Sequence, residues 1–183
     1  MIGPLSVSKI LEELRSDVWD ARLHFDIYRI YKHSSSRAKY WPAIITYGNF
    51  FSTSLRANFV AMVAALGRVF DNDPRNISME TLFKAEPKFQ RIDAVGLAKA
   101  RDLWKRKARS LRHQIVAHHA ANTTPQEAFK RASITLDDID ELISMCERLM
   151  DVWTKHAGCH VHLLSSSKGD TLALLEALLP DRP

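Results

Sequence analysis

The sequence predicts an all-α protein, an antiparallel up-down helical bundle with short accessory helices, on three observations. Apolar residues recur at three- and four-residue spacing over several long stretches, the mark of a helix face turned towards a core. No stretch alternates apolar and polar residues over a useful strand length, and six glycines and seven prolines leave long segments unbroken. The periodic stretches are joined by short connections, which suits antiparallel neighbours.

Residues 7, 11, 14, 18, 21, 25 and 28 read Val, Leu, Leu, Val, Ala, Phe and Tyr, one apolar stripe along a first long helix. The stretch Lys32 to Lys39, with three consecutive serines, is expected to break it. A second helix is expected after Pro42, with Ile44, Phe51, Leu55, Phe59, Met62, Leu66 and Val69 on one side. It should stop at the Asp71-Asn72-Asp73-Pro74 turn. Ser78 to Ala85 reads as a short helix with Ser78 as its N-cap, ended by Pro87.

The third long helix is expected from near Asp93 to His118, with Leu97, Trp104, Leu111 and His118 at heptad spacing. Asn122-Thr123-Thr124-Pro125 closes it, and Thr124 with Glu127 is spaced as a capping box for one further turn. The last long helix opens at Thr135 with a capping-box partner at Asp138, and Asp137 and Asp138 suit the positive end of its dipole. Ile139, Ile143, Cys146, Met150 and Trp153 mark its buried side. Ser165 to Gly169 reads as a linker into a leucine-rich helix, Leu172 to Leu179, too small to be stable alone. The expected organisation is therefore a bundle over residues 1–164, then a linker and short amphipathic helix over 165–183.

A chain of 183 residues, 46% hydrophobic and 26% charged, suits one domain with a proper core. Its net charge of +5 is unevenly placed: Lys88 to Arg112 holds nine Lys or Arg against two Asp, a local +7, so the remainder sums to −2. A basic stripe confined to one segment suits a phosphate-bearing partner. A solvated helix face is the equal alternative from charge alone. There are two cysteines, no secretory h-region, and an apolar stretch from Phe50 to Leu66 interrupted by Arg56 and Asn58. These features lead us to expect a soluble, cytoplasmic protein with reduced thiols and no membrane association.

The segment Leu111-Arg112-His113-Gln114-Ile115-Val116-Ala117-His118-His119 carries the candidate chemistry. On one ideal helix Arg112 and His118 are separated by roughly 9 Å of rise and about 120° of rotation. His119 returns to nearly the face of Arg112, so it has the better single-helix geometry, while His118 continues the apolar stripe. A guanidinium is always charged and can hold a phosphate through paired N–H groups as negative charge builds. A histidine titrates near neutrality and can move the proton of an attacking ribose 2′-OH. The pair therefore suits metal-independent RNA cleavage to a 2′,3′-cyclic phosphate and a 5′-hydroxyl. Arg and His near a helix end also serve simply as partners of the negative dipole end.

The run Arg112 to His118 resembles the R-x(4–6)-H motif of the HEPN superfamily, with His113 as the polar residue that follows the arginine. The long first helix, the second helix ending in Leu66-Gly67-Arg68-Val69-Phe70-Asp71 and the Ile77-Ser78-Met79 helix start look like the abortive-infection (AbiU-type) branch of HEPN domains, over roughly residues 5 to 155. The resemblance implies a homodimer in which Arg112 and His118 of both copies meet at a composite cleft. It also implies a ribonuclease toxin paired with a nucleotidyltransferase-like antitoxin. By position it makes Arg112 and His118 the catalytic pair, with His113, His119 and Asp71 in support and Asp71 as the second-helix partner of Arg112. Ala120 stands where an acidic residue often closes the motif, and no tyrosine follows for nucleotidylation.

His156, Cys159, His160 and His162 cluster at a helix end without a distant partner group, so no metal or other cofactor is expected. Trp19, Trp41, Trp104 and Trp153 read as core or interface anchors. Lys105, Arg106 and Arg109 are the candidate contacts to RNA backbone, although half of such a run must face away from one ligand. The residues leave three readings open: a metal-independent HEPN endoribonuclease in toxin–antitoxin or anti-phage defence, a catalytically silent HEPN-fold module binding RNA, nucleotide or a protein partner, and a plain helical adaptor.

Overall fold

The computed structural model describes residues 5–73, 75–113, 125–159 and 168–179 and contains no strand among them. Helix α1, Val7–Lys32, starts at Ser6, whose Oγ accepts from the Lys9 amide. The predicted stripe of Leu11, Leu14, Val18, Ala21, Phe25 and Tyr28 is buried, and Val7 is partly so. Burying a side chain of this size contributes about 1.5–3 kcal/mol, so the stripe is a sufficient reason for α1 to sit inside. It packs along α3 (Gly48–Val69) and α8 (Leu136–His156), and also meets α4 (Met79–Ala85).

The segment after α1 departs from expectation. Only His33, with extended backbone, leaves the helical path, and Ser34–Thr46 forms α2. Serines are tolerated in a first turn, where amides lack intrahelical partners anyway. Pro42 lies inside α2 rather than opening the next helix, and α2 and α3 are separated at Tyr47. By length and composition α3 is apolar enough to cross a membrane, with a mean hydropathy of 1.3 despite Arg56 and Asn58. In the fold its apolar residues serve the core: Phe51, Phe59, Met62, Leu66 and Val69 are all buried.

Ser78 stands at the head of α4, but its side chain makes no cap bond; it is buried, and its carbonyl accepts from Leu82. After a 3-10 turn at Pro87–Gln90, helix α5 (Ala94–Leu103) starts at Asp93. Asp93 takes a left-handed φ of 51° and caps the Gly96 amide through Oδ1. Trp104–Ala108 forms a π turn, in which the Arg109 amide donates to the Trp104 carbonyl, and α6 (Arg109–Arg112) continues the same helical path. Leu97, Ala100, Trp104, Ala108 and Leu111 are its buried side.

Helix α7, Pro125–Ala132, brings Phe129 against Tyr28 and Phe59. At α8 the capping box is present as the spacing predicts: Thr135 Oγ1 accepts from the Asp138 amide, and Asp138 Oδ2 accepts from the Thr135 amide. Trp153 is fully buried, and its Nε1 donates to the Ile92 carbonyl at 3.3 Å. Trp104 is buried as well, Trp19 is half-buried, and Trp41 is exposed beneath the Arg37 guanidinium, so Trp41 is not a core anchor. Helix α9, Lys168–Ala177, begins earlier than expected and includes Lys168 and Gly169, which had read as linker. It docks on α1 and α2, burying Leu175 beside Ile30, Tyr31, Tyr40 and Phe51, while Glu176 accepts from Lys39 and Tyr40.

One polar node fastens α1 to α8. Arg22 donates to Glu147 at 2.8 Å, Asp140 at 2.6 Å and Ser144 at 2.9 Å, and Arg29 also donates to Asp140. The Arg22 side chain is 17% exposed, and removing it strands Glu147 and leaves Asp140 with Arg29 alone in a half-buried place. Arg22→Ala should lower unfolding free energy by about 2 kcal/mol, within the range for breaking a partly buried charge network. Urea denaturation measures this, and Lys9→Ala, which removes an exposed pairing with Glu12 and Glu13, should leave the midpoint in place. Equal effects would show that the node is merely surface charge.

Candidate nucleic-acid interface

The end of α3 and the end of α6 come together at one point. Gly67 lies in the last turns of α3, and a Cβ added there would fall 2.8 Å from Cδ and 3.0 Å from Nε of Arg112. The Arg112 stem therefore runs directly over the bare Gly67 backbone, an approach that only glycine permits. Past Gly67 the Arg112 Nη2 donates to Asp71 Oδ2 at 3.0 Å. Asp71 has two further donors: its Oδ1 accepts from the Asp73 amide at 3.0 Å and its Oδ2 from Asn76 Nδ2 at 3.2 Å.

Partial burial pushes the Asp71 carboxyl upward, but the Asp73 amide, Arg112 and Asn76 outweigh it and hold it below its ordinary value. The carboxylate stays charged at neutral pH and orients the guanidinium. A guanidinium has five N–H donors, so one contact to Asp71 leaves others for a ligand.

Arg112 borders a cleft of about 350 Å³ together with Asp71, Arg101, Lys105, Arg109 and His113. Phe70, Met79 and Trp104 form its apolar wall, with the Phe70 and Trp104 rings stacked at 5.1 Å and 12°. Glu80, also in the lining, accepts from Arg101. Among the described residues Lys105 and Arg109 have no ion-pair partner.

The basic stripe is thus divided. Lys105 and Arg109 face the cleft, whereas Arg106 lies outside it and pairs with Asp102 one turn back. Lys107 reaches Asp138 at the head of α8, at 2.6 Å. Arg106 therefore does not join the other two expected backbone contacts. His113 is exposed at the cleft edge. His118 and His119 lie outside the described residues, as do Thr124 of the expected capping box and His160 and His162 of the histidine cluster. Among the described residues no group of three or more His, Cys, Asp or Glu could hold a metal ion.

Sequence reasoning missed Gly67 and the Arg101–Glu80 clamp. An isolated glycine within an apolar helical pattern is a signal of close packing, and Gly67 carried it. Glu80 gave none, because its partner is 21 residues away on another helix.

An all-helical bundle with a basic cleft around the arginine of an R-x(4–6)-H run defines a HEPN-type module. The family model HEPN_AbiU2, described as AbiU2, matches residues 5–166, and the chain belongs to this family of abortive-infection HEPN-like domains. No curated protein and no solved structure matches the chain.

Two outcomes follow from the geometry. Gly→Ala in a helix interior ordinarily stabilises by about 1 kcal/mol. At Gly67 that gain should appear only in an Arg112→Ala background, because otherwise the new methyl displaces the arginine. A double-mutant cycle by urea unfolding reads the coupling, and additive effects would contradict the close approach. The second concerns acid. A carboxyl held below its ordinary value of 3.8 contributes stability that is whole above that value and is lost as pH falls through the lowered one. Asp71→Asn should therefore narrow the difference in urea midpoint between about pH 6 and about pH 3, and an unchanged difference would remove Asp71 from the acid response.

Proposed function

We propose that this chain is a metal-independent endoribonuclease acting in anti-phage defence, in which Arg112 holds the scissile phosphate and His118 moves the proton. One observation carries the reading: Arg112 is lodged on Gly67, steered by Asp71 and presented in a cleft whose lining has an excess of positive charge. Preorganised cations stabilise charge that builds in a transition state without reorganising at that moment. The ribose 2′-oxygen attacks phosphorus as His118 takes its proton, the P–O5′ bond breaks, and the 5′-oxygen leaves as a hydroxyl on receiving a proton back from the imidazolium. The products are a 2′,3′-cyclic phosphate and a 5′-hydroxyl. DNA, without the 2′-OH, is inert.

Two copies acting together complete the site in this reading, since Arg112 and His118 point about 120° apart on one ideal helix. A nucleotidyltransferase-like antitoxin fits as the neutralising partner of such a toxin. A second reading, a silent module that binds RNA, a nucleotide or a protein, is favoured by the fact that Asp71 already neutralises Arg112.

The test is incubation of purified protein with mixed RNA in EDTA, beside Arg112→Ala, His118→Ala and His119→Ala. Loss of a general acid or base costs on the order of 10²–10⁴ in rate, so His118→Ala should lose at least about a hundredfold with helix content intact. His119→Ala should lose much less, and the reverse order would exchange their roles. No cleavage by wild-type protein, with EDTA or with added metal ions, would favour the silent module. Light scattering showing a monomer at micromolar concentration would overturn the composite site.

A further inference from the structure

The cleft lining pairs its four Lys and Arg unequally with its two carboxylates. Arg101 is tied to Glu80 and Arg112 to Asp71, while Lys105 and Arg109 have no ionic partner among the described residues. Two positive charges therefore remain unbalanced, and both belong to residues that are not the arginine of the motif. A carboxylate beside a cation steers it and offsets its charge, whereas an unpaired cation in a cleft attracts an anion from solution.

The unpaired pair is also displaced along the helix. Arg109 is one helical turn before Arg112, and Lys105 lies roughly 10 Å of rise before it. A single phosphate held by Arg112 cannot satisfy such a row, while a nucleic-acid strand repeats its charge at every nucleotide. The rest of the lining includes the apolar Phe70, Met79 and Trp104, and its two carboxylates, Asp71 and Glu80, are engaged by Arg112 and Arg101.

From this division we propose that Lys105 and Arg109 form a second phosphate subsite, which holds a phosphate next to the one at Arg112. The cleft then takes a nucleotide chain carrying at least two phosphates rather than a mononucleotide or a dinucleoside with one. This rests on the reading of the cleft as the RNA site, but it concerns binding and stands apart from cleavage. The second phosphate is either an internal diester or a terminal monoester, and both present anionic oxygens to the same two cations.

Binding of 2′-deoxy probes tests it, because these cannot be cleaved through a 2′-hydroxyl. The probes are a dinucleoside with one diester, the same dinucleoside with a 5′-terminal phosphate, and a trinucleoside with two diesters. The second phosphate should tighten binding about tenfold, the worth of one charge-assisted contact. That gain should vanish in Lys105→Gln/Arg109→Gln and persist in Arg106→Gln, whose cation lies outside the cleft. Circular dichroism and the thermal midpoint establish that each variant is folded. An equal gain from both two-phosphate probes supports a subsite that reads phosphate alone, and a gain from the trinucleoside alone assigns it an internal diester. Equal affinity for all probes, a gain that survives the double substitution, or no binding of any probe would overturn the proposal. If cleavage fails while the tenfold gain is seen, the subsite stands and only the ribonuclease reading falls.

Discussion

The apolar stripe of helix α1 is covered from two sides, and the bundle is the arrangement that buries it. Leu11, Leu14, Val18, Ala21 and Phe25 are all at or near zero exposure, with α3 along one side and α8 along another. The helical path from Ala94 to Arg112 then packs on α8 at one end and on α3 at the other. Its direction is settled by the two helices that α1 holds apart. Arg22 and Arg29 reinforce this at the polar edge, both guanidinium groups lying near the Phe25 ring while they bind Asp140. The cleft is thus walled by helices whose positions are already determined by burial elsewhere, which is how a site is kept in shape without a ligand.

Within that frame the electrostatics divide the labour. Arg112 gains orientation from Asp71 at the expense of net charge, while Lys105 and Arg109 keep their charge and less of a fixed direction. Lys107 is withdrawn from the surface field by Asp138, which itself completes the capping box of α8. Of the six cations from Arg101 to Arg112, two arginines are held by carboxylates in the cleft, two have no ionic partner among the described residues, and two pair with carboxylates outside it.

The long stripes were legible in the sequence because burial imposes a period, and the period survives whatever surrounds it. α1 and α8 fall where that period predicts, α3 ends where it predicts but starts at Gly48 and not after Pro42, and the Thr135–Asp138 cap is local chemistry that needs no tertiary context. α2 was hidden, since Ser34–Ser36 and Pro42 are punctuation by local rules, and only docking against Tyr31 and Phe51 makes a helix worth keeping there. The first turn of α9 was missed for the same reason: Leu175 finds its pocket on α1 and α2, far away in the chain. At the site, the segment from Arg112 was readable from residue types, but the choice among Lys105, Arg106 and Arg109 was not. That choice depends on which of them the winding at Trp104–Ala108 turns towards the cleft, while Arg106 pairs with Asp102 one turn back in the same helical path.

The winding change at Trp104–Ala108 is a place where the basic helix can lose a residue and keep its register. A π turn holds one residue more than an α turn closes, so deleting one of Lys105, Arg106 or Lys107 would let ordinary winding resume with Arg109 to Arg112 still on their face. A residue inserted into Ala94–Leu103 meets no such slack and would rotate everything beyond it by roughly 100°. Arg112 would then leave Gly67 although no residue of the cleft wall had been altered.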